Sequence, residues 1–235
     1  FEKTFLSPCY GLAEATLLVA GAEKTKPPVI AQVDAAALER GQFIHTSDAE
    51  TPSRTIVSVG QGDPDHNLIV VDPDTGAPCP EGVVGELWVQ SPIVAQGYWN
   101  KPEASAEALR DGGWLHTGDS GVITEQGFIR YLGRRKEMLK VNGMSVFPSE
   151  LEAMLGQHPD ILASAVIGKR DPQRGQTPLA FIITKPGSHA SAESLRDWCK
   201  QAMAIYKVPE IRLVDTLPMT ATGKVKKQEL QDWIN

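Results

Sequence analysis

Cysteine is scarce in this sequence. Cys9, Cys79 and Cys199 stand far apart, form no Cys-x-x-Cys pair and leave an odd count, which argues against a disulfide framework and offers no zinc site. A reducing, cytoplasmic setting is the expectation. Excess positive charge is lacking too: 23 basic against 29 acidic residues leave a net charge of −6. There is thus no general electrostatic ground for binding nucleic acid or an anionic membrane, and any phosphate site has to be local. No apolar run approaches the roughly 20 residues of a membrane helix, so no stable membrane insertion is expected, and Phe1-Glu2-Lys3-Thr4 does not open a signal peptide. The 21 glycines and 17 prolines follow no period, which excludes collagen and coiled coil and places many turns between short elements. What remains is an ordinary globular chain of 235 residues, 41% hydrophobic and 22% charged, long enough for one or two cores. It starts without methionine and enters the apolar segment 10–20 almost at once, so we expect a fragment of a larger structure.

Residues 12–20 are small or aliphatic and read as a short buried helix or strand ending at Gly21. Residues 21–53 are polar and rich in Lys, Pro and Ala, with one helical turn at 34–40, and read as an elaborated surface insertion. Short β-rich stretches follow at 55–59, 67–72, 85–90 and 128–131. The hairpin-type signals Asp72-Pro73-Asp74-Thr75-Gly76 and Pro78-Cys79-Pro80-Glu81-Gly82 fall among them and mark a small β-subdomain. Beyond Gly133 the texture changes. Residues 148–158 predict a helix with proline in its first turn, 163–168 and 179–184 predict strands, and 192–204 an amphipathic helix, together a second α+β domain. The boundary falls in Gly133-Arg134-Arg135-Lys136-Glu137, a charged stretch suited to a hinge or to a solvated turn.

Four constellations place chemically specific side chains beside glycine, which allows close approach of a ligand to the backbone. They are Tyr10-Gly11-Leu12-Ala13-Glu14, Gly113-Trp114-Leu115-His116-Thr117-Gly118-Asp119, the stretch from Gly133 to Gly143, and Leu217-Pro218-Met219-Thr220-Ala221-Thr222-Gly223-Lys224. In this order and spacing they resemble the C-terminal part of an adenylate-forming acyl ligase, the superfamily of acyl-CoA synthetases, peptide-synthetase adenylation domains and luciferases. The resemblance covers nearly the whole chain. It implies an α+β fold: residues 1–133 as a small β-barrel-like remnant of a large N-terminal domain, and 134–235 as a compact, mobile C-terminal domain. It also implies a reaction in two halves. A carboxylate attacks the α-phosphate of ATP to give an acyl-adenylate and pyrophosphate, and a thiol then displaces AMP.

Carried onto matching positions, the resemblance puts Tyr10 against the adenine face and Glu14 on Mg²⁺. The family's threonine before that glutamate is Ala13 here, with Thr16 nearby. Asp119, acceptor-only when ionised, would take the ribose hydroxyls; by itself Gly118-Asp119 reads as a turn between strands. Arg134 would reach the ribose from the other domain, and Lys136 would be the hinge residue. Gly143 would line the pantetheine channel, while Asn142-Gly143 is also a hairpin dipeptide in its own right. Lys224 is the catalytic candidate, an ammonium on a glycine-containing loop that meets the carboxylate and the charge growing at the α-phosphate.

Two features depart from the family. The glycine- and Ser/Thr-rich phosphate loop is missing, so the chain by itself is expected to be unable to adenylate. The resemblance is also mixed. The stretch 10–16, the Pro27-Pro28-Val29 insertion and 71–76 are similar to fatty acyl-AMP ligases, which deliver to an acyl carrier protein, whereas the residues from about 100 onward are similar to bacterial acyl-CoA synthetases. The implied function is activation of a fatty or related carboxylic acid with ATP and Mg²⁺ and transfer to CoA. A carrier protein is the alternative acceptor, and a noncatalytic interaction module that kept the fold is the rival of another class.

Overall fold

The computed structural model describes residues 2–234, and the chain divides into two compact units, Phe1–Arg135 and Lys136–Asn235. The break falls after Arg135, two residues beyond the expected boundary, because Ile129–Arg134 continues as a strand of the first unit.

In the first unit the short strands β1 (Cys9–Tyr10), β2 (Ala20–Gly21) and β5 (Gln61–Gly62) form one antiparallel sheet. Strands β3 (Ile30–Asp34) and β4 (Ser53–Val57) form a separate antiparallel pair. Between those two lies the helical turn α1 (Ala35–Glu39), started by Asp34, whose carboxylate accepts from Ala37 N at 2.8 Å, the role of an N-cap. The insertion is therefore an ordered hairpin-like element.

The main sheet of this unit has the order β10-β9-β7-β6, with β6 (Asn67–Val71), β7 (Gly85–Gln90), β9 (Trp114–Ile123) and β10 (Ile129–Arg134) all antiparallel. It contributes to a curled half-barrel. The helix α2 (Pro102–Ala108) leads into β8 (Leu109–Arg110), which pairs with the start of β9. Leu87, Val89, Leu115 and Ile129 lose all or nearly all solvent contact and form the core together with Ala15 and Val19. The expected turn at 72–76 is present: Asp72 Oδ1 accepts from Asp74 N and Thr75 N, and these bonds hold its carboxyl below the usual range.

Residues 12–20 do not make the buried helix or strand expected. A single 3-10 turn, Ala13–Ala15, is followed by Leu17 and Leu18 in solvent, and Val19 N donates back to Tyr10 O at 2.9 Å. The segment is a closed loop that turns Ala15, Val19 and Ala20 into the core and leaves Leu17 and Leu18 in solvent, so only part of its apolar run is buried.

The second unit contains β11 (Leu139–Val141), β12 (Met144–Val146), α3 (Pro148–Leu155), β13 (Ile161–Asp171), β14 (Gly175–Thr184), α4 (Ala192–Ala202), β15 (Glu210–Leu213) and α5 (Lys227–Asp232). Its sheet runs β12-β11-β14-β13, and β15 adds to β14 in parallel. Helix α4 opens with a capping box in which Ser191 and Ser194 satisfy each other's backbone N–H groups. Leu151, Leu155, Val166, Ile182 and Leu195 pack between helices and sheet. The α+β class is as expected for this unit.

Candidate active site

The site in the first unit is built on an irregularity in the sheet. Along β7 and β9 the register passes from Glu86↔Ser120 to Trp88↔His116, so Thr117, Gly118 and Asp119 stand opposite Leu87 alone. Such a bulge re-aims side chains. Gly118 takes φ +70 within the strand, a conformation that costs a side-chain-bearing residue about 1–2 kcal/mol. Gly118-Asp119 is thus part of a strand and not a turn.

Side chains catch the backbone groups that the bulge displaces. Thr117 Oγ1 donates to Leu87 O at 2.6 Å and accepts from Asp119 N at 3.1 Å, while Gly118 N donates to Glu86 Oε1 at 2.8 Å. On the other flank Asp119 is paired in register with Arg134 of β10, whose Nη1 donates to Thr117 O at 2.7 Å.

This arrangement brings Tyr10, Asp119 and Arg134 together. Asp119 is 3% exposed; its Oδ2 accepts from Tyr10 Oη at 2.7 Å. Arg134 Nε lies 3.1 Å from Oδ1 in an ion pair that lacks hydrogen-bond alignment, so Oδ1 is buried and accepts no hydrogen bond among the described residues. Burial pushes the Asp119 carboxyl up, opposed by the Tyr10 hydroxyl and the Arg134 charge. Burial first, and then the Asp119 charge, push the Tyr10 phenol far up. Tyr10 is itself buried and stacks on Tyr131, with ring centroids 6.1 Å apart and planes at 29°. One of its faces is therefore already covered. Arg134 belongs to the first unit and not to the second, as the end of the strand beside Asp119.

Glu14 stands on the 3-10 turn after Tyr10. Its Oε1 accepts from Tyr98 Oη at 2.6 Å, and this bond is the main cause that pushes the Tyr98 phenol up to about 12. A cavity of about 200 Å³ opens beside them, lined in part by Ala13, Ala95, Gly97 and Leu115. The described residues contain no cluster of three metal-ligating side chains. A lone carboxylate is a hard oxygen donor that suits Mg²⁺ carried mainly by substrate phosphates and water, and Glu14 fits that role. Thr16 does not replace the hydroxyl absent at Ala13, since its Oγ1 donates to Ile93 O.

Lys136, Gly143 and Lys224 belong to the second unit. Lys136 is exposed in the 3-10 turn Arg135–Glu137. Asn142 and Gly143 take φ 52 and φ 80 between β11 and β12, the backbone of a tight two-residue hairpin. A Cβ on Gly143 would meet nothing within 4 Å, so this tip is open. Lys224 is exposed on a turn in which its backbone N donates to Thr220 Oγ1 at 3.0 Å and its O accepts from Thr220 N at 2.7 Å.

Sequence reasoning missed Glu86, Thr117, Tyr98 and Tyr131. A single acidic residue inside the apolar run of β7 was the available signal for Glu86. Tyr98 carried none, since 84 positions separate it from Glu14.

Residues 1–99 match the family described as AMP-binding enzyme, and residues 150–224 match the AMP-binding enzyme C-terminal domain. A 2-succinylbenzoate–CoA ligase of Geobacillus kaustophilus is 41% identical over 157 residues, which is 66% of this chain and 32% of that protein. Among solved structures, one from studies of fatty acyl-adenylate ligases from E. coli and L. pneumophila is 26% identical, with a TM-score of 0.85 over 100% of this chain and 42% of that one. ATP-bound MatB from Rhodopseudomonas palustris is 28% identical, with a TM-score of 0.73 over 97% of this chain and 40% of its own. The chain spans about a third of the length of the curated relatives it matches. With both parts of the family matched in order along the chain, it belongs to the AMP-binding enzyme superfamily of adenylate-forming acyl ligases.

Proposed function

We propose that this chain is the C-terminal part of an ATP-dependent ligase that activates a carboxylic acid as acyl-AMP and passes the acyl group to CoA, with a fatty acid as the substrate class. The buried Asp119 carries the reading. Its Oδ1 has no hydrogen bond among the described residues, and its Oδ2 is fixed by Tyr10. A buried acceptor normally has a donor, and a ribose hydroxyl supplies one. Tyr10 then acts by orienting Asp119, while Arg134, whose side chain is half exposed, covers the nucleotide side of the carboxylate. Glu14 would hold Mg²⁺ beside the phosphates, and Lys224 would meet the α-phosphate charge. Movement of the second unit about Lys136 between the two half-reactions, with Gly143 beside the pantetheine chain, belongs to the same proposal. So does a cytoplasmic setting, which the unpaired thiols of Cys9, Cys79 and Cys199 support.

The test uses an enzyme of the relatives' length that contains this chain. Acid-dependent pyrophosphate exchange is expected, with fatty acids ahead of aromatic acids, and free CoA is expected to release AMP from the acyl-adenylate. Exchange with no acid, or none at all, would defeat the reading. A carrier protein as acceptor is the second reading, favoured by the TM-score of 0.85 over the whole chain against the fatty acyl-adenylate ligase. Acyl transfer to a carrier thiol but not to CoA would select it.

A further inference from the structure

Two carboxylates are buried among the described residues, Glu86 and Asp119, and both lie at the same bulge. Burying a second carboxylate beside the first is unfavourable by desolvation and by like charge, so Glu86 has to be held by specific contacts. It has two. Oε1 accepts the Gly118 N–H that the bulge has removed from the ladder, and Oε2 lies 3.7 Å from Arg135 Nε. Thr117 fixes the residue before Gly118 through Leu87 O, and Arg134 fixes the Thr117 carbonyl. The Gly118 amide is a further displaced group of the three-residue bulge, and the side chain that secures it among the described residues is Glu86. We propose that Glu86 is a positioning residue: by fixing the Gly118 peptide in its left-handed conformation it sets the direction in which the next side chain, Asp119, presents Oδ1. This rests on the nucleotide reading of Asp119.

An amide oxygen can still accept from Gly118, whereas a thioether of similar length cannot. Two variants, Glu86→Gln and Glu86→Met, therefore separate the peptide contact from mere filling of the site. In the 235-residue chain the Gly118 amide resonance and its exchange protection are expected to persist in E86Q and to be lost in E86M. In the enzyme of full length, E86M is expected to raise KM for ATP about tenfold or more, as loss of a hydrogen bond to a charged group implies. The KM for the carboxylic acid should stay unchanged, and E86Q should stay close to the parent. A purely structural role would lower the amount of active enzyme without splitting the two KM values. If E86M fails to fold, Glu86→Asp withdraws the oxygen by one methylene while keeping the charge, and the same readings are expected of it. An unchanged Gly118 amide in E86M, equal damage in E86Q and E86M, or a lost amide signature with unchanged KM for ATP would each overturn the proposal. In those cases the parent enzyme still uses ATP, which distinguishes them from failure of the nucleotide reading, where the parent does not respond to ATP at all.

Discussion

Replacing Tyr10 by phenylalanine removes one atom from the centre of the site. The ring keeps its place against Tyr131, but Asp119 Oδ2 loses the hydroxyl that donates to it at 2.7 Å in a buried setting. A hydrogen bond to a charged group contributes about 1.5–3 kcal/mol, and a buried acceptor left without a donor bears the full cost. With a urea slope of about 2 kcal/mol/M, the midpoint for the first unit should fall by about 1 M at neutral pH. The sign of the pH dependence follows from Asp119. The phenol O–H favours the ionised carboxyl and so lowers its pKa against the rise caused by burial. Without it the pKa of the folded variant lies higher than that of the parent. The gap between parent and variant is therefore fully present above the variant's Asp119 pKa and closes as pH falls through it. Urea titrations of the 235-residue chain, read on amide signals of β9 at several pH values, measure both. A midpoint shift below about 0.2 M at neutral pH, or a gap that stays constant into acid, would refute the reasoning.

Lys224→Ala in the full-length enzyme should slow adenylation by about 10²–10³, the effect of removing one transition-state donor. Gly143→Leu should spare pyrophosphate exchange and block thioester formation, and equal losses in both variants would defeat the assignment. Because Gly143 sits at φ 80 with open space around it, any destabilisation in that variant should come from backbone strain of about 1–2 kcal/mol and not from a clash. Gly118→Ala meets the same strain at φ 70, beside Arg134 Nη1 at 3.8 Å, and is expected to weaken ATP binding more than acid binding in competition assays. Tyr98, held protonated by Glu14, should ionise only near pH 12; the stability it confers is full below the ordinary tyrosine value of 10.0 and is lost as pH rises from there toward about 12. Phenolate absorbance of the parent against Tyr98→Phe follows that titration, and a Tyr98 phenolate formed at the ordinary value would contradict the contact.

Elements whose local signals agree with their packing were legible. β7 falls at 85–90 as read, helix α4 starts after a serine cap, and Asn142-Gly143 makes the hairpin its dipeptide predicts. The misreadings share a cause. Residues 12–20 are apolar, yet a loop pinned by Tyr10 O and Val19 N leaves Leu17 and Leu18 in solvent, an outcome no periodicity encodes. Nothing in the sequence of β9, the longest strand of the first unit among the described residues, marks it as a strand. Its glycines and its His-Thr-Gly-Asp sequence look like a turn, and it needs β7 and β10 on either side to become extended.

The same reason made the site half legible. Asp119, Tyr10 and Arg134 were found through motifs, but what joins them is a register change between strands that lie about thirty residues apart, and register is a property of the pair. Glu86 was invisible for that reason: as a residue in a strand it is a charge in the wrong place, and only opposite a bulge with a free Gly118 N–H does it gain a partner. Burying two carboxylates at one bulge is a local sacrifice of stability, which the proposed nucleotide role of Asp119 explains by the need for a fixed acceptor direction. Asp119→Asn should accordingly relieve part of that burial cost while it abolishes binding of the nucleotide. A variant that instead lost stability by more than the Tyr10→Phe change would show that the Arg134 ion pair, and not ligand geometry, is what the buried charge serves.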